Sequence, residues 1–274
     1  MSNENIKFMT GALFSPVDVR DYRLASVGNE AEFPKEFELK MGKVKNQGSV
    51  GSCVAHSIAE TIEYFNIAQN NNNAKMSTNY IYGNRTNMMY EGAGMYTRKA
   101  VANTCKYGTV YESECPGNTE VPDVIDMYET VKDALYEKGV PHRFSSYYSV
   151  KTKNEIKTAL MNNGPVIFAM EWYDDIRVVD GVIQTEQKGE GGGHCMVIYG
   201  WNEIGWKIQN SWGSGWANKG RAILPYDVKI REAYGIIDTI VGTENVNIKK
   251  PYSSVIGKWI AKVLNWILNL LNKE

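Results

Sequence analysis

The spacing of apolar residues changes character halfway along the chain, and this change limits the folds open to it. In CVAHSIAETIEYFNIAQN (53–70), Val54, Ala55, Ile58, Ala59, Ile62 and Phe65 recur at steps of one, three and four. Such spacing makes a core-facing helix stripe, with Ser52 as the expected N-cap. Helical signals return around 76–90, 97–107 and 150–164. Beyond them, PVIFAMEW, HCMVIYGWN, GWKIQNSW and GRAILPYD are short aliphatic and aromatic runs divided by Gly, Asn and Asp, which reads as strands. A helical half followed by a β half predicts an α+β fold.

The chain has 274 residues, enough to bury a core without disulfide staples, and a formal net charge of −1. Near-neutrality excludes a globally basic nucleic-acid binder, so no nucleic-acid partner is expected. The 43% apolar content excludes a disordered chain. Cys53, Cys105, Cys115 and Cys195 contain no CxxC pair, which removes the zinc ribbon and the thioredoxin-type redox motif. With no signal-peptide pattern in MSNENIKFMTGALFSPVDVRDY, the expectation is a cytoplasmic, thiol-bearing protein.

Residues 1–32 are polar and irregular and read as an arm draped on a surface; 33–245 form the main domain. Within that domain the helical part runs to about 140 and the β part begins at about 141. Residues 246–274 stand apart. In VIGKWIAKVLNWILNLL (255–271) the polar positions Lys258, Lys262, Asn265 and Asn269 form a narrow stripe on an apolar helix carrying Trp259 and Trp266. Five lysines face one glutamate from Lys249 onward. A basic amphipathic helix of this kind suits a membrane surface or a protein partner, and also packing on its own domain.

The chemistry concentrates in three segments. In Gln47–Gly48–Ser49–Val50–Gly51–Ser52–Cys53 a thiol opens a helix, where the free N–H groups and the macrodipole favour a thiolate. Gln47 can aim an amide at an oxyanion beside the Cys53 N–H. In GGGHCMVIYGW, His194 follows glycines that leave its face open, and Asn210 comes sixteen residues later with Trp212 two further on. An Asn carbonyl accepting from an imidazole N–H fixes the tautomer of a base, and an indole alongside shields that bond from water.

The ordered set Gln47, Cys53, His194 and Asn210-Ser211-Trp212-Gly213 resembles the papain-like (C1) cysteine peptidases, over about Phe33 to Val241. His194 and Asn210 lie 141 and 157 residues after Cys53, the second slightly beyond the family's usual separation. The opening GALFSPVDVRDY and the form VGSCVA look closer to bacterial and phage members. The resemblance implies two lobes, one helical and one β-barrel-like, with the cleft between them. It implies Cys53 as nucleophile held as thiolate by His194, Asn210 orienting His194, and Gln47 with the Cys53 N–H as oxyanion hole. It places Gly92, Ala93, Gly94, Gly193, Cys195 and Trp212 against substrate, and needs no cofactor. The implied activity is thiol-dependent peptide hydrolysis through an acyl-enzyme. A cell-wall peptide hydrolase or amidase of the same Cys-His chemistry is a second reading. An inactive papain-like binding scaffold targeted by its tail is a third.

The chain also departs from the family pattern. Val50 stands where the family has a cysteine, Val54 follows the thiol in place of an aromatic residue, and about 32 irregular residues are too few for a long helical pro-segment. His56, three residues past Cys53, is a rival base. A metal held by Cys53, His56, His194 and Cys195 is disfavoured, because neighbours on a strand point to opposite faces.

Overall fold

The computed structural model describes residues 9–16, 33–85, 94–117 and 135–238. The C-terminal helix expected at 255–271 lies outside these residues, as do Gly92 and Ala93.

Helix α1 (Cys53–Asn70) has the bounds its stripe predicts. It is joined by α2 (Thr78–Gly83), α3 (Thr97–Tyr107) and α4 (Lys153–Asn162). Helix α4 opens with a capping box: Thr152 Oγ1 accepts from Glu155 N–H, and the Glu155 carboxylate accepts from Thr152 N–H. At α1 the expected Ser52 cap is not made. There the Ser52 hydroxyl oxygen lies 3.3 Å from His56 Nδ1 instead.

The strands are β1 (Ala12–Leu13), β2 (Phe37–Glu38), β3 (Met95–Tyr96), β4 (Ser146–Ser149), β5 (Val166–Tyr173), β6 (Arg177–Val179), β7 (Val182–Gln184), β8 (Gly191–Trp201), β9 (Gly205–Gln209), β10 (Arg221–Pro225) and β11 (Ile230–Ile237). Nine of them form one sheet in the order β4-β11-β5-β8-β9-β10-β7-β6, with β2 added on β8. Its end strands, β4 and β6, do not pair with each other, so among the described residues the barrel-like sheet does not close. The first residues of the domain reach the sheet: Phe37 in β2 stacks on Trp201 at 4.8 Å, and Trp201 Nε1–H donates to the Pro34 carbonyl. These contacts draw residues 33–39 onto the sheet.

Two large apolar cores result, beside a small cluster of Tyr80, Val110, Cys115 and Leu135. One, around α1, takes in Val50, Val54, Ile58, Ile62 and Phe65 together with Ile167, Ala169 and Cys195 of the sheet. Val50, where the family has a cysteine, is simply buried there. The other lies beyond the sheet, built on Phe168, Met196, Ile198, Trp201 and Trp206 against Ile156 and Leu160 of α4. Helix α1 therefore lies directly against β8, and this contact brings Cys53 and His194 into one region.

Candidate active site

His194 lies on β8, paired across to Met170 of β5, and is fully buried. Its Nε2–H donates to Asn210 Oδ1 at 2.8 Å. The same oxygen accepts from Ser211 N–H at 2.7 Å, which fixes the end of the Asn210 amide that is the carbonyl. Nδ1 of His194 is left with no hydrogen-bond partner and is thus the basic nitrogen of this tautomer. Trp212 stacks on the imidazole at 4.4 Å, nearly parallel. Trp172 meets both rings edge-on, a wall residue that sequence reasoning passed over as part of an ordinary strand. The Asn210–His194 bond thus lies behind two indoles and away from water.

Cys53 opens α1 with no exposed surface. Backbone N–H groups of Cys195, Val54, Gly11 and Cys53 itself face its sulfur. Burial outweighs these donors and pushes the thiol up to about 11. Burial likewise pushes His194 down to about 4, against the raising effect of Asn210. Both groups are therefore neutral in this state, and the thiolate expected at a helix N-terminus is not the form of the closed site.

The cleft is closed by the chain's own arm. Residues 9–14, expected on a surface, lie between α1 and β8. Gly11 N–H donates to the Gly193 carbonyl, and the Gly11 carbonyl accepts from Met95 N–H, each at 2.9 Å. Strand β1 then runs parallel to β3. The approach is main chain to main chain: a Cβ on Gly11 would run into the Gly51 carbonyl oxygen, one on Gly193 into that of Ala12, and one on Gly94 into that of Gly11. Only residues without side chains fit here. Ala12 is buried in the same apolar cluster as Ala169, Met95 and Cys195. The Met9 carbonyl accepts from Gln47 Nε2–H at 3.0 Å and from Trp212 Nε1–H at 3.2 Å.

Gln47 is itself oriented. Ser211 Oγ–H donates to Gln47 Oε1 at 2.6 Å, so the amide presents Nε2 to the cleft. Ser211 is a second contributor that sequence reasoning did not single out, although it sits inside the Asn-Ser-Trp signature. The rival base His56 is engaged elsewhere: its Nδ1–H donates to the Ser52 carbonyl at 2.9 Å. Burial lowers it to about 4. Cys195 points away from His194, toward Ser57 of α1, and burial keeps it a thiol.

A comparison with protein families matches residues 33–241 to the papain family cysteine proteases. The chain belongs to that family. It is 29% identical over 197 residues to an uncharacterized peptidase C1-like protein of Acanthamoeba polyphaga mimivirus, covering 66% of this chain and 63% of the relative. It is 26% identical over 204 residues to cathepsin B-like cysteine proteinase 3 of Caenorhabditis elegans, covering 65% and 55%. The chain thus spans less than two thirds of the length of either relative. Among solved structures it superposes on xylellain, a cysteine protease from Xylella fastidiosa, with a TM-score of 0.73 and 21% identity, over 84% of this chain and 96% of that one.

Proposed function

We propose that the protein is a thiol-dependent peptidase held latent by its own residues 9–14. The observation that carries the chemistry is the His194 imidazole, pinned through Nε2–H to Asn210 with Nδ1 left as an unpartnered base. When the arm leaves, water and substrate enter, and the Cys53 proton moves to His194 Nδ1. The thiolate attacks the scissile carbonyl, whose oxygen takes hydrogen bonds from Gln47 Nε2–H and Cys53 N–H. The imidazolium then protonates the leaving amine, and water hydrolyses the thioester with His194 as base. Gly94 and Gly193, the sites of the arm's backbone bonds and contacts, would receive the substrate backbone. The latent state is supported by the neutral thiol and imidazole under the arm.

The test compares the full chain with Gly11→Val, which cannot seat beside Gly51. Alkylation of Cys53 by iodoacetamide and hydrolysis of a peptide library should both rise, by roughly tenfold or more, as desolvation of the thiol is relieved. No labelling of Cys53 in either chain at neutral pH sinks the peptidase reading. Labelling that is equal in both sinks the latency. Cleavage of cell-wall peptides alone would favour the amidase reading.

For residues 255–271 we propose attachment to a membrane surface or a protein partner, supported by the sequence pattern of lysines, asparagines and tryptophans. Liposome co-sedimentation of the full chain against a chain ending at Asn247 separates these readings, and equal binding dismisses the membrane.

A further inference from the structure

Two turns after Cys53, α1 carries a carboxyl that this chemistry does not use. Glu60 is 2% exposed, and an apolar residue there would extend the helix stripe at lower cost. Nor is it ion-paired by hydrogen bond: the Lys45 ammonium goes to Glu63 at 2.8 Å and to the Met76 carbonyl at 3.1 Å. The Glu60 carboxyl accepts instead from the backbone N–H of Lys45, at 3.0 Å.

That N–H begins a short bridge across the molecule. The Lys45 carbonyl accepts from Gly213 N–H at 2.9 Å. Asn46 pairs with Trp212, and Gln47 N–H donates to the Ser211 carbonyl at 2.8 Å. Residues 45–47 therefore run edge to edge with 211–213, and Glu60 ties the backbone of their outer end to the helix that bears Cys53, while Glu63 of the same helix holds the Lys45 side chain. The same carboxyl also lies beside the amide of Gln209, the residue before Asn210. Gln209 Oε1 is held by Arg221 Nε–H at 3.0 Å, and its Nε2 makes no bond of normal geometry. One side chain thus touches the residue two before Gln47 and the residue one before Asn210.

We infer that Glu60 is a positioning residue: through Lys45 it fixes the Gln47 amide, and through Gln209 the Asn210 loop, relative to Cys53. This rests on the peptidase reading and adds to it a part that neither Gln47 nor Asn210 supplies, their common register on α1. A carboxyl whose only role was to stabilise the core would affect all reactions of Cys53 alike. A positioning role separates them. Acyl transfer needs the oxyanion donors, whereas alkylation forms a C–S bond at a saturated carbon with loss of iodide and develops no oxyanion.

The experiment compares the full chain with Glu60→Leu and Glu60→Gln, each in the Gly11→Val background. For Glu60→Leu, kcat should fall roughly 10- to 100-fold, within the range for disturbing an oxyanion donor. KM and the iodoacetamide rate at Cys53 should stay within about threefold of the reference. Glu60→Gln keeps a carbonyl oxygen for Lys45 N–H and should recover kcat to within about threefold. Equal losses in hydrolysis and alkylation, or no loss in Glu60→Leu, overturn the inference. If Glu60→Leu fails to fold, Glu60→Asp, which withdraws the carboxyl by one methylene, is read by the same split. A reference chain that alkylates Cys53 but hydrolyses nothing overturns the peptidase reading itself, a separate result.

Discussion

Helices α1 and α4 begin in opposite ways. The start of α4 is closed by a reciprocal capping box between Thr152 and Glu155. The start of α1 has Ser52 in the capping position, but its side chain makes no cap bond, and N–H groups of the first turn point at the Cys53 sulfur. A capped N-terminus has spent its donors on stability. An uncapped, buried one keeps them for a ligand or a developing charge. Here the unsatisfied end is also where the imidazole keeps an empty nitrogen. Incomplete bonding at a buried location therefore separates the working helix terminus from the architectural one.

The largest effects should come from the working end. His194→Ala should lower hydrolysis by ~10³-fold, the size of a general-base loss, whereas His56→Ala should leave it within a few-fold. A larger loss from His56→Ala would exchange the two assignments. Their surroundings argue for this order: one ring is held by Asn210 with Nδ1 free, the other by its own helix backbone.

An intermediate effect concerns pH. Burial, with the neighbouring Glu63 adding to it, pushes Glu60 up to about 8 from an ordinary 4.5. The folded protein therefore holds a proton that the unfolded chain releases, and this contribution is complete below pH 4.5 and lost as pH rises through 8. The two buried histidines run the other way, contributing above 6.5 and losing it as pH falls toward 4. Between pH 6.5 and 8 the Glu60 contribution dominates, so unfolding free energy should drop there by about 2 kcal/mol. Chemical denaturation across that window should show the decline in the reference chain and flatten it in Glu60→Gln. A flat reference curve would show Glu60 ionised throughout.

The smallest effect tests the comparison at its architectural end. Thr152→Ala should cost about 1 kcal/mol and leave hydrolysis unchanged. Ser52→Ala, which removes no cap bond, should cost less than Thr152→Ala. The reverse order would mean that Ser52 caps α1 in solution.

Much of this was legible in the sequence because it rests on local rules. The stripe from Val54 to Phe65 defines α1 on its own, and Gln47, Cys53, His194 and Asn210 are chemical types in a fixed order. What was not legible depends on partners distant in sequence. IREAYGII (230–237) has no clean alternation and becomes a strand by pairing with β4 and β5. That the sheet of the barrel-like part does not close is likewise set by pairing, since β4 and β6 end on different neighbours. The arm GALFS has no period at all. Its place is set by backbone contacts with Gly51, Gly193 and Met95, and no residue pattern encodes them. The neutral state of Cys53 follows from its burial, which outweighs the N–H groups around its sulfur, so a rule about helix termini alone gave the opposite charge state.

The seat of the arm has a consequence for how the protein can vary. At Gly11, Gly193 and Gly94 the two sides already meet with no side chain between them. Any replacement there adds atoms where none fit, so variation at these positions can only loosen the closed state. Tightening it would have to come from elsewhere, at Ser15 against Glu232 or Phe14 under Arg231. A lineage of such proteins is thus free to drift toward constant activity by single substitutions in the cleft, and has few single steps there by which to return.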